Sequence, residues 1–191
     1  MLKIAFFSSG TARLLEKVIK KPAKGYEVVV VFSNKPHVKV LEYAKSKGLK
    51  TELLSPKELS WVSRDGFDNL VLERVVRYKP DVLVLAKYDR IISKELIERF
   101  PLGVFSVHDH HEPIKAKGWH ALKESMASGS ERVAGSIHRV TEEVDGGKVL
   151  ARTKLVDVKG KTLKEARIAL EEEDGITLAG FMSSLGGVKA F

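Results

Sequence analysis

Residues 81–86 read DVLVLA, an unbroken run of five apolar residues after one aspartate. A strand with a single buried face alternates apolar and polar side chains, so this run predicts a strand that is buried on both faces. Three further runs have the same character: KIAFF (3–7), EVVVVF (27–32) and LGVFSV (102–107). Four such strands favour a parallel sheet that is covered by helices on both sides.

Helical patterns separate these strands. TARLLEKVIKK (11–21) carries its apolar residues at helical spacing, and HVKVLEYAKSKG (37–48) ends in a lysine-rich turn and a glycine. FDNLVLERVVRY (67–78) stops just before a proline. The alternation of strands and helices predicts right-handed crossovers between parallel strands.

The pattern changes in the last third of the chain. RVAGSIHRV (132–140) and KVLARTKLVDV (148–158) predict an antiparallel pair, and TLKEARIALEEEDGITLAGFMSSLGG (162–187) predicts a closing helix. Thr162 and Glu165 have the spacing of a capping box at the start of that helix. The predicted fold class is therefore α/β: a three-layer, mostly parallel, Rossmann-like sheet with a C-terminal antiparallel hairpin, in a single domain over residues 1–191.

Composition narrows the classes of function. The 191 residues include no cysteine, which excludes disulfides, thiol nucleophiles and thiolate zinc sites. The apolar start is too short for a signal peptide and no run is long enough to span a membrane, so we expect a cytoplasmic protein. The formal net charge of +8 favours anionic partners, or reflects lysines that only solvate the surface.

Polar and charged residues follow the predicted strands where each one ends. SSGTAR (8–13), SNK (33–35), KYDR (87–90) and HDHHEP (108–113) all stand at this position. Ligands of open α/β sheets bind at the carboxyl ends of the strands, so the four segments predict one site along that edge.

A histidine, a hydroxyl and a distant aspartate suggest acyl chemistry. On an extended strand Ser106 and His108 point the same way, and Asp145 precedes paired glycines in a tight turn. The alternative is a buried, hydrogen-bonded histidine beside an ordinary hairpin aspartate, and spacing alone does not decide between the two.

Three of the six histidines lie within four positions, which raises a metal hypothesis. His108, His110, His111 and Glu112 could bind zinc if His120 and His138 converged on them. An H-x-H pattern is short and occurs often by chance, so we expect no metal. We expect His110 and His111 to be solvated loop residues.

The loop SSGTARLL (8–15) has one glycine and is not the G-x-G-x-x-G dinucleotide loop. A helix that begins near Thr11 still offers free amides to an anion, and Arg13 adds a charge. A plain tight turn is the alternative.

Four stretches of the chain resemble the phosphoribosylglycinamide formyltransferase family. They are VVVVFSNKPHVKVLEYAKSKGLKTELL (28–54), YKPDVLVLAKYDRIIS (78–93), GVFSVHDHHEPIKAKGWHAL (103–122) and GSIHRVTEEVDGGKVLARTKL (135–155). The resemblance covers nearly the whole chain in order. It implies transfer of a formyl group from the cosubstrate 10-formyltetrahydrofolate to an amine, most directly phosphoribosylglycinamide in purine biosynthesis.

The resemblance also implies roles for individual residues. The catalytic histidine is His108, the catalytic aspartate is Asp145, and the position of the catalytic asparagine is held by Ser106. The folate pocket is expected at Arg90, Ile91, Ile92, Val140, Thr141, Glu142, Glu143 and Val144. The ribose phosphate is expected at Gly10, Thr11, Ala12 and Arg13, and a carboxylate near the substrate amine at Glu172 or Glu173.

The chain departs from the family at several of these positions. Ser106 occupies the position of the family's catalytic asparagine, and Asp89 occupies the position of a methionine. The loop after His108 also has a different sequence. Three alternatives therefore stay open: a formyltetrahydrofolate hydrolase, a ligand-binding relative without catalysis, and a metal-dependent hydrolase that uses the histidine cluster.

The resemblance further implies a division of the domain and a set of partners. Residues 1–100 are expected to form the phosphate-binding half, and residues 101–191 the catalytic and folate-binding half. The expected partner is a small, phosphorylated amine substrate. We expect neither a membrane nor a nucleic acid as a partner, and a homodimer is left open.

Overall fold

The computed structural model describes residues 1–20, 25–59, 62–108, 120–144 and 146–188. Seven strands form the main sheet: β1 (Leu2–Phe7), β2 (Tyr26–Ser33), β3 (Thr51–Leu53), β4 (Val82–Ala86), β5 (Val104–His108), β7 (Ser136–Arg139) and β8 (Val149–Arg152). A second, two-stranded sheet pairs β6 (Arg132–Val133) with β9 (Val156–Asp157).

The strand order of the main sheet is β3-β2-β1-β4-β5-β7-β8. The first five strands run parallel, whereas β7 is antiparallel to β5 and β8 is antiparallel to β7. The predicted parallel sheet and its C-terminal hairpin are therefore confirmed. The order also moves from β1 to β4 across the centre, which is where open α/β sheets have their binding crevice.

Six α-helices lie around the sheet within the described ranges: α1 (Arg13–Lys20), α2 (Lys39–Ser46), α3 (Arg64–Val75), α4 (Lys94–Glu98), α5 (Ala121–Ala127) and α6 (Leu163–Val188). Two short 3₁₀ helices cover Pro56–Leu59 and Val76–Tyr78. Within these ranges, no helix is both long enough and apolar enough to cross a membrane.

Two apolar clusters, one on each face of the sheet, produce the predicted three layers. Ile4 and Phe6 of β1 pack with α1, α2 and α6, whereas Ala5 and Phe7 pack with α3 and α4. All four side chains are at most 1% exposed, as expected for a strand buried on both faces. A third cluster joins α5, α6 and the small sheet, and includes the buried Leu170.

The closing helix begins as its sequence predicts. Thr162 N–H donates to Glu165 Oε2 (2.8 Å), and Glu165 N–H donates to Thr162 Oγ1 (3.3 Å). These reciprocal bonds satisfy donors that the first turn of a helix leaves free, which confirms the capping box.

The short elements were not predicted. β3 has three residues and α4 has five, so neither is long enough to display a period. The α4 helix depends instead on its cap, because Ser93 Oγ accepts a hydrogen bond from Leu96 N–H (3.3 Å). Helix α1 begins at Arg13, two residues after the predicted start.

Candidate active site

A pocket of 390 Å³ opens at the carboxyl ends of β4 and β5. All eight predicted folate-pocket residues line it, namely Arg90, Ile91, Ile92, Val140, Thr141, Glu142, Glu143 and Val144. Ser106 and His108 line it as well. The structure therefore brings together two segments that are about 50 positions apart in the sequence, together with both described members of the predicted catalytic group.

The β5 strand aims its two polar side chains into this pocket. Ser106 and His108 alternate with Phe105 and Val107, which belong to the apolar cluster on the opposite face of the sheet. Both polar residues are half-buried. The predicted common direction of the hydroxyl and the imidazole thus agrees with the strand geometry.

His138 is a pocket residue that the prediction of catalytic residues did not include. It is opposite Ser106 in the antiparallel β5–β7 pairing, is 6% exposed, and its ring centroid lies 6.2 Å from that of His108. The signal was available, because a histidine inside a predicted strand that pairs with β5 faces either the core or the site.

The turn after β4 forms one wall of the pocket. The Arg90 guanidinium lies 4.2 Å from the centroid of the Phe67 ring, a cation–π distance. Beneath the turn, the buried Asp68 accepts a hydrogen bond from Ser93 N–H (2.5 Å). Burial raises the pKa of Asp68 in spite of this bond and of the nearby arginines. Burial also raises the pKa of Tyr88.

The hairpin loop after β7 forms the opposite wall. Lys94 of α4 makes an ion pair with Glu142 of this loop (3.0 Å), and Val144 is 50% exposed. Gly147 is required near the loop's end, because a Cβ there would lie 1.6 Å from the carbonyl oxygen of Arg139. Asp145 lies outside the described residues, so its predicted role stays a prediction.

The predicted phosphate loop, Gly10 to Arg13, joins β1 to α1 beside the pocket rather than lining it. Arg13 NH1 donates to Glu171 Oε2 (2.8 Å) and to Thr11 Oγ1 (3.2 Å), and Ala12 is buried. The carboxylate that α6 presents to this loop is therefore Glu171, which is not one of the two predicted residues.

The two α6 carboxylates that were predicted lie nearby. Glu172 makes an ion pair with Lys17 of α1, and Glu173 is half-buried.

Two further charges stand at the end of β4. Lys87 has a left-handed backbone (φ 57°), and its Nζ lies 3.0 Å from Oδ2 of Asp174, a fully buried residue of α6. Asp89 contacts Ser9, Asn34 and Lys35. Burial acts to raise the pKa of Asp89, but the bonds from those three side chains outweigh burial and lower it.

Residues 2–181 match the formyl transferase family. The chain belongs to the formyl transferase family. This membership confirms the predicted family, and with it the predicted formyltransferase class of enzyme.

Curated relatives of this formyl transferase include a bacterial enzyme of similar length and a much longer vertebrate protein. It is 30% identical to phosphoribosylglycinamide formyltransferase of Escherichia coli (strain K12) over 177 residues, which are 90% of this chain and 82% of that protein. It is 31% identical to trifunctional purine biosynthetic protein adenosine-3 of Gallus gallus over 152 residues, 78% of this chain but only 15% of that longer protein.

Solved structures agree with the fold. Phosphoribosylglycinamide formyltransferase from Campylobacter jejuni subsp. jejuni NCTC 11168 has a TM-score of 0.82 and 26% identity, with 100% of this chain and 97% of that chain covered. Glycinamide ribonucleotide transformylase 1 from Symbiobacterium toebii has a TM-score of 0.88 at 24% identity, with 98% and 89% covered. The predicted formyltransferase fold is confirmed.

The metal hypothesis for this formyl transferase concerns the histidine cluster that begins at His108. In the part of the chain that the structure describes, no three histidine or acidic side chains converge as a metal site would require. His110, His111 and Glu112 lie outside that part. The expectation that no metal takes part stays a prediction.

Proposed function

We propose that the protein transfers a formyl group from 10-formyltetrahydrofolate to the amine of phosphoribosylglycinamide. The observation that carries this proposal is the 390 Å³ pocket, into which His108 and Ser106 project between the two predicted folate walls. The acceptor is the one that the related phosphoribosylglycinamide formyltransferases are named for.

The pocket suits a flat, partly apolar donor. Leu85, Ile92 and Val140 contribute apolar surface, and Arg90 and Glu142 supply charged groups at the walls. Small-molecule sites typically combine such apolar walls with a few polar groups that fix orientation. In the proposed arrangement the loop of Val140 to Val144 holds the pterin ring.

The chemistry follows from the position of His108. The acceptor nitrogen attacks the formyl carbon, and the carbonyl oxygen becomes an oxyanion in the tetrahedral intermediate. A protonated His108 donates a hydrogen bond to that oxyanion, and Ser106 supplies a second, shorter donor. The bond from the formyl carbon to N10 of the folate then breaks.

The proton balance gives Asp145 its proposed role. The attacking amine loses a proton as the new carbon–nitrogen bond forms, and N10 of the folate gains one as it leaves. Asp145 favours the imidazolium form of His108 and passes the proton through water.

The acceptor site is proposed for the loop of Gly10 to Arg13. The positive end of the α1 dipole attracts a phosphate, and Arg13, which Glu171 holds at the start of this helix, supplies a cation beside it. Glu172 or Glu173 of α6 then lies near the rest of the acceptor.

The division of the domain into a phosphate-binding half (1–100) and a catalytic and folate-binding half (101–191) is part of this proposal. The boundary at residue 100 does not separate the two sites completely, because Arg90 of the first half lines the donor pocket. A cytoplasmic location fits the proposed substrates.

The test is an acceptor-dependence assay with purified protein. With 10-formyltetrahydrofolate and phosphoribosylglycinamide together, tetrahydrofolate and formylated acceptor should form in equal amounts. Release of formate at the same rate without acceptor would indicate the hydrolase instead. Zinc at one equivalent per chain, with activity lost on chelation, would favour the metal-dependent hydrolase.

A further inference from the structure

Four polar side chains tie together the carboxyl ends of β1, β2 and β4: Ser9, Asn34, Lys35 and Asp89, here called the edge cluster. Asp89 Oδ1 accepts hydrogen bonds from Ser9 Oγ (2.8 Å) and Asn34 Nδ2 (2.7 Å). The backbone N–H of Asp89 donates to Ser9 Oγ (2.9 Å), and Lys35 makes an ion pair with Asp89 Oδ2. Ser9 and Asn34 are 7% and 4% exposed.

The edge cluster stands between the two halves of the proposed site. Asp89 lines the donor pocket and directly precedes Arg90, the first residue of the predicted folate turn. Ser9 directly precedes Gly10, the first residue of the predicted phosphate loop. Asp89 therefore links the predicted folate turn to the predicted phosphate loop through two hydrogen bonds to one hydroxyl. Its carboxylate accepts from Ser9 Oγ, and its backbone N–H donates to the same oxygen.

This arrangement limits how independently the two segments can move. A hydroxyl has one hydrogen, so Ser9 Oγ donates either to Asp89 Oδ1 or to Asn34 Oδ1, which is 2.7 Å away. A ligand that orders the loop at Gly10 restricts Ser9, and thereby the turn that follows Asp89. A second ligand then loses less conformational entropy when it binds the pocket.

We propose that Asp89 is a positioning residue that couples the donor pocket to the acceptor loop, so that occupation of one site tightens binding at the other. This inference rests on the proposed function. It goes beyond it because Asp89 touches neither reacting atom and acts through Ser9.

The experiment measures the dissociation constant of tetrahydrofolate, which has no formyl group to transfer, with and without saturating phosphoribosylglycinamide. In the wild type the acceptor should tighten tetrahydrofolate binding by about fivefold or more, the lower end of typical coupling. In Asp89→Ala the ratio should fall to below about twofold. Asp89→Asn keeps an oxygen for Ser9 and Asn34, so it should retain most of the coupling.

Glu52→Ala is the matched control. Glu52 is also a carboxylate at a strand of the same sheet, is 8% exposed, and accepts from Tyr78 Oη (2.6 Å) and Arg77. It does not line the pocket. The Glu52→Ala variant should be less stable than the wild type and should keep the wild-type coupling ratio.

The outcomes separate the inference from the function on which it rests. If wild-type protein binds neither compound, the proposed function fails and the inference with it. If it binds both but Asp89→Ala keeps the full ratio, only the inference fails. Equal losses of coupling in Asp89→Ala and Glu52→Ala would reduce Asp89 to a structural role. Should Asp89→Ala not fold, Ser9→Ala removes both hydrogen bonds between Ser9 Oγ and Asp89 and should abolish the coupling.

Discussion

Replacing Ser106 with asparagine changes a polar side chain that β5 presents to the pocket beside His108. The formyl transferase resemblance expects an asparagine amide there, which reaches further than a hydroxyl. If Ser106 is a short oxyanion donor, Ser106→Asn should raise the turnover number for formyl transfer to phosphoribosylglycinamide.

The position of Ser106 and the usual worth of one oxyanion donor together bound the size of this effect. Ser106 is half-buried, lies between Leu85 and His138 in the sheet, and faces a pocket of 390 Å³. Because Ser106 lines this open volume, the longer amide of asparagine can extend into it. One well-placed donor is worth about 10²–10³ in rate. We therefore expect a gain of at least about tenfold and at most about 10³.

The assay follows the product tetrahydrofolate at saturating donor and acceptor, which isolates the turnover number from the two Michaelis constants. Ser106→Thr is the control, because it adds bulk without an amide and should give no gain. A fall in turnover for Ser106→Asn with unchanged donor affinity would refute the reasoning. It would mean that the pocket is shaped around serine, where overpacking typically costs about 1–3 kcal/mol.

Three further predictions concern two proposed catalytic residues and the buried Asp68 beneath the pocket wall. His108→Ala should lower formyl transfer by about 10² or more, whereas His110→Ala and His111→Ala should keep most of the activity. Asp145→Asn should lower turnover about tenfold or more with folding intact, because an amide cannot favour the imidazolium. Asp68→Asn should raise the free energy of unfolding at pH 7. The pKa of Asp68 is raised in the folded state, so ionisation of its carboxyl group destabilises the fold as pH rises. The gain in free energy of unfolding from Asp68→Asn should therefore vanish in acid, where the wild-type carboxyl group is protonated.

Each of these predictions has a contrary outcome. Equal losses for the alanine variants of His108, His110 and His111, with bound zinc by elemental analysis, would support the metal hypothesis. Unchanged turnover in Asp145→Asn would make that aspartate a turn residue. An Asp68→Asn protein whose denaturation midpoint differs from wild type equally at pH 3 and pH 7 would show that burial of the charge is not the cause.

The sheet could be predicted from the sequence because its strands are buried on both faces. DVLVLA (81–86) and the three similar runs show no alternation of apolar and polar residues. Each of the four observed strands begins and ends within two residues of the predicted one. The direction of Ser106 and His108 followed from the two-residue period of a strand. Short elements such as β3 and α4 could not be predicted, because a few residues show no period.

The charged contacts of the site could not be predicted, because they depend on strand order. Asp89 meets Ser9, 80 positions away, only because β4 lies beside β1 in the sheet. Glu171 meets Arg13 only because α6 packs on α1. One signal was present: Asp174 stands four residues from both Leu170 and Leu178, which are buried, so it interrupts the apolar stripe of α6.

Product balance in a single reaction tests the central proposal most directly. Purified protein is incubated with 10-formyltetrahydrofolate and phosphoribosylglycinamide, and tetrahydrofolate, formate and formylated acceptor are quantified against a His108→Ala control. We predict one formylated acceptor for each tetrahydrofolate, no formate above the control, and loss of both products in the variant. Tetrahydrofolate and formate in equal amounts, at a rate independent of the acceptor, would contradict the proposal.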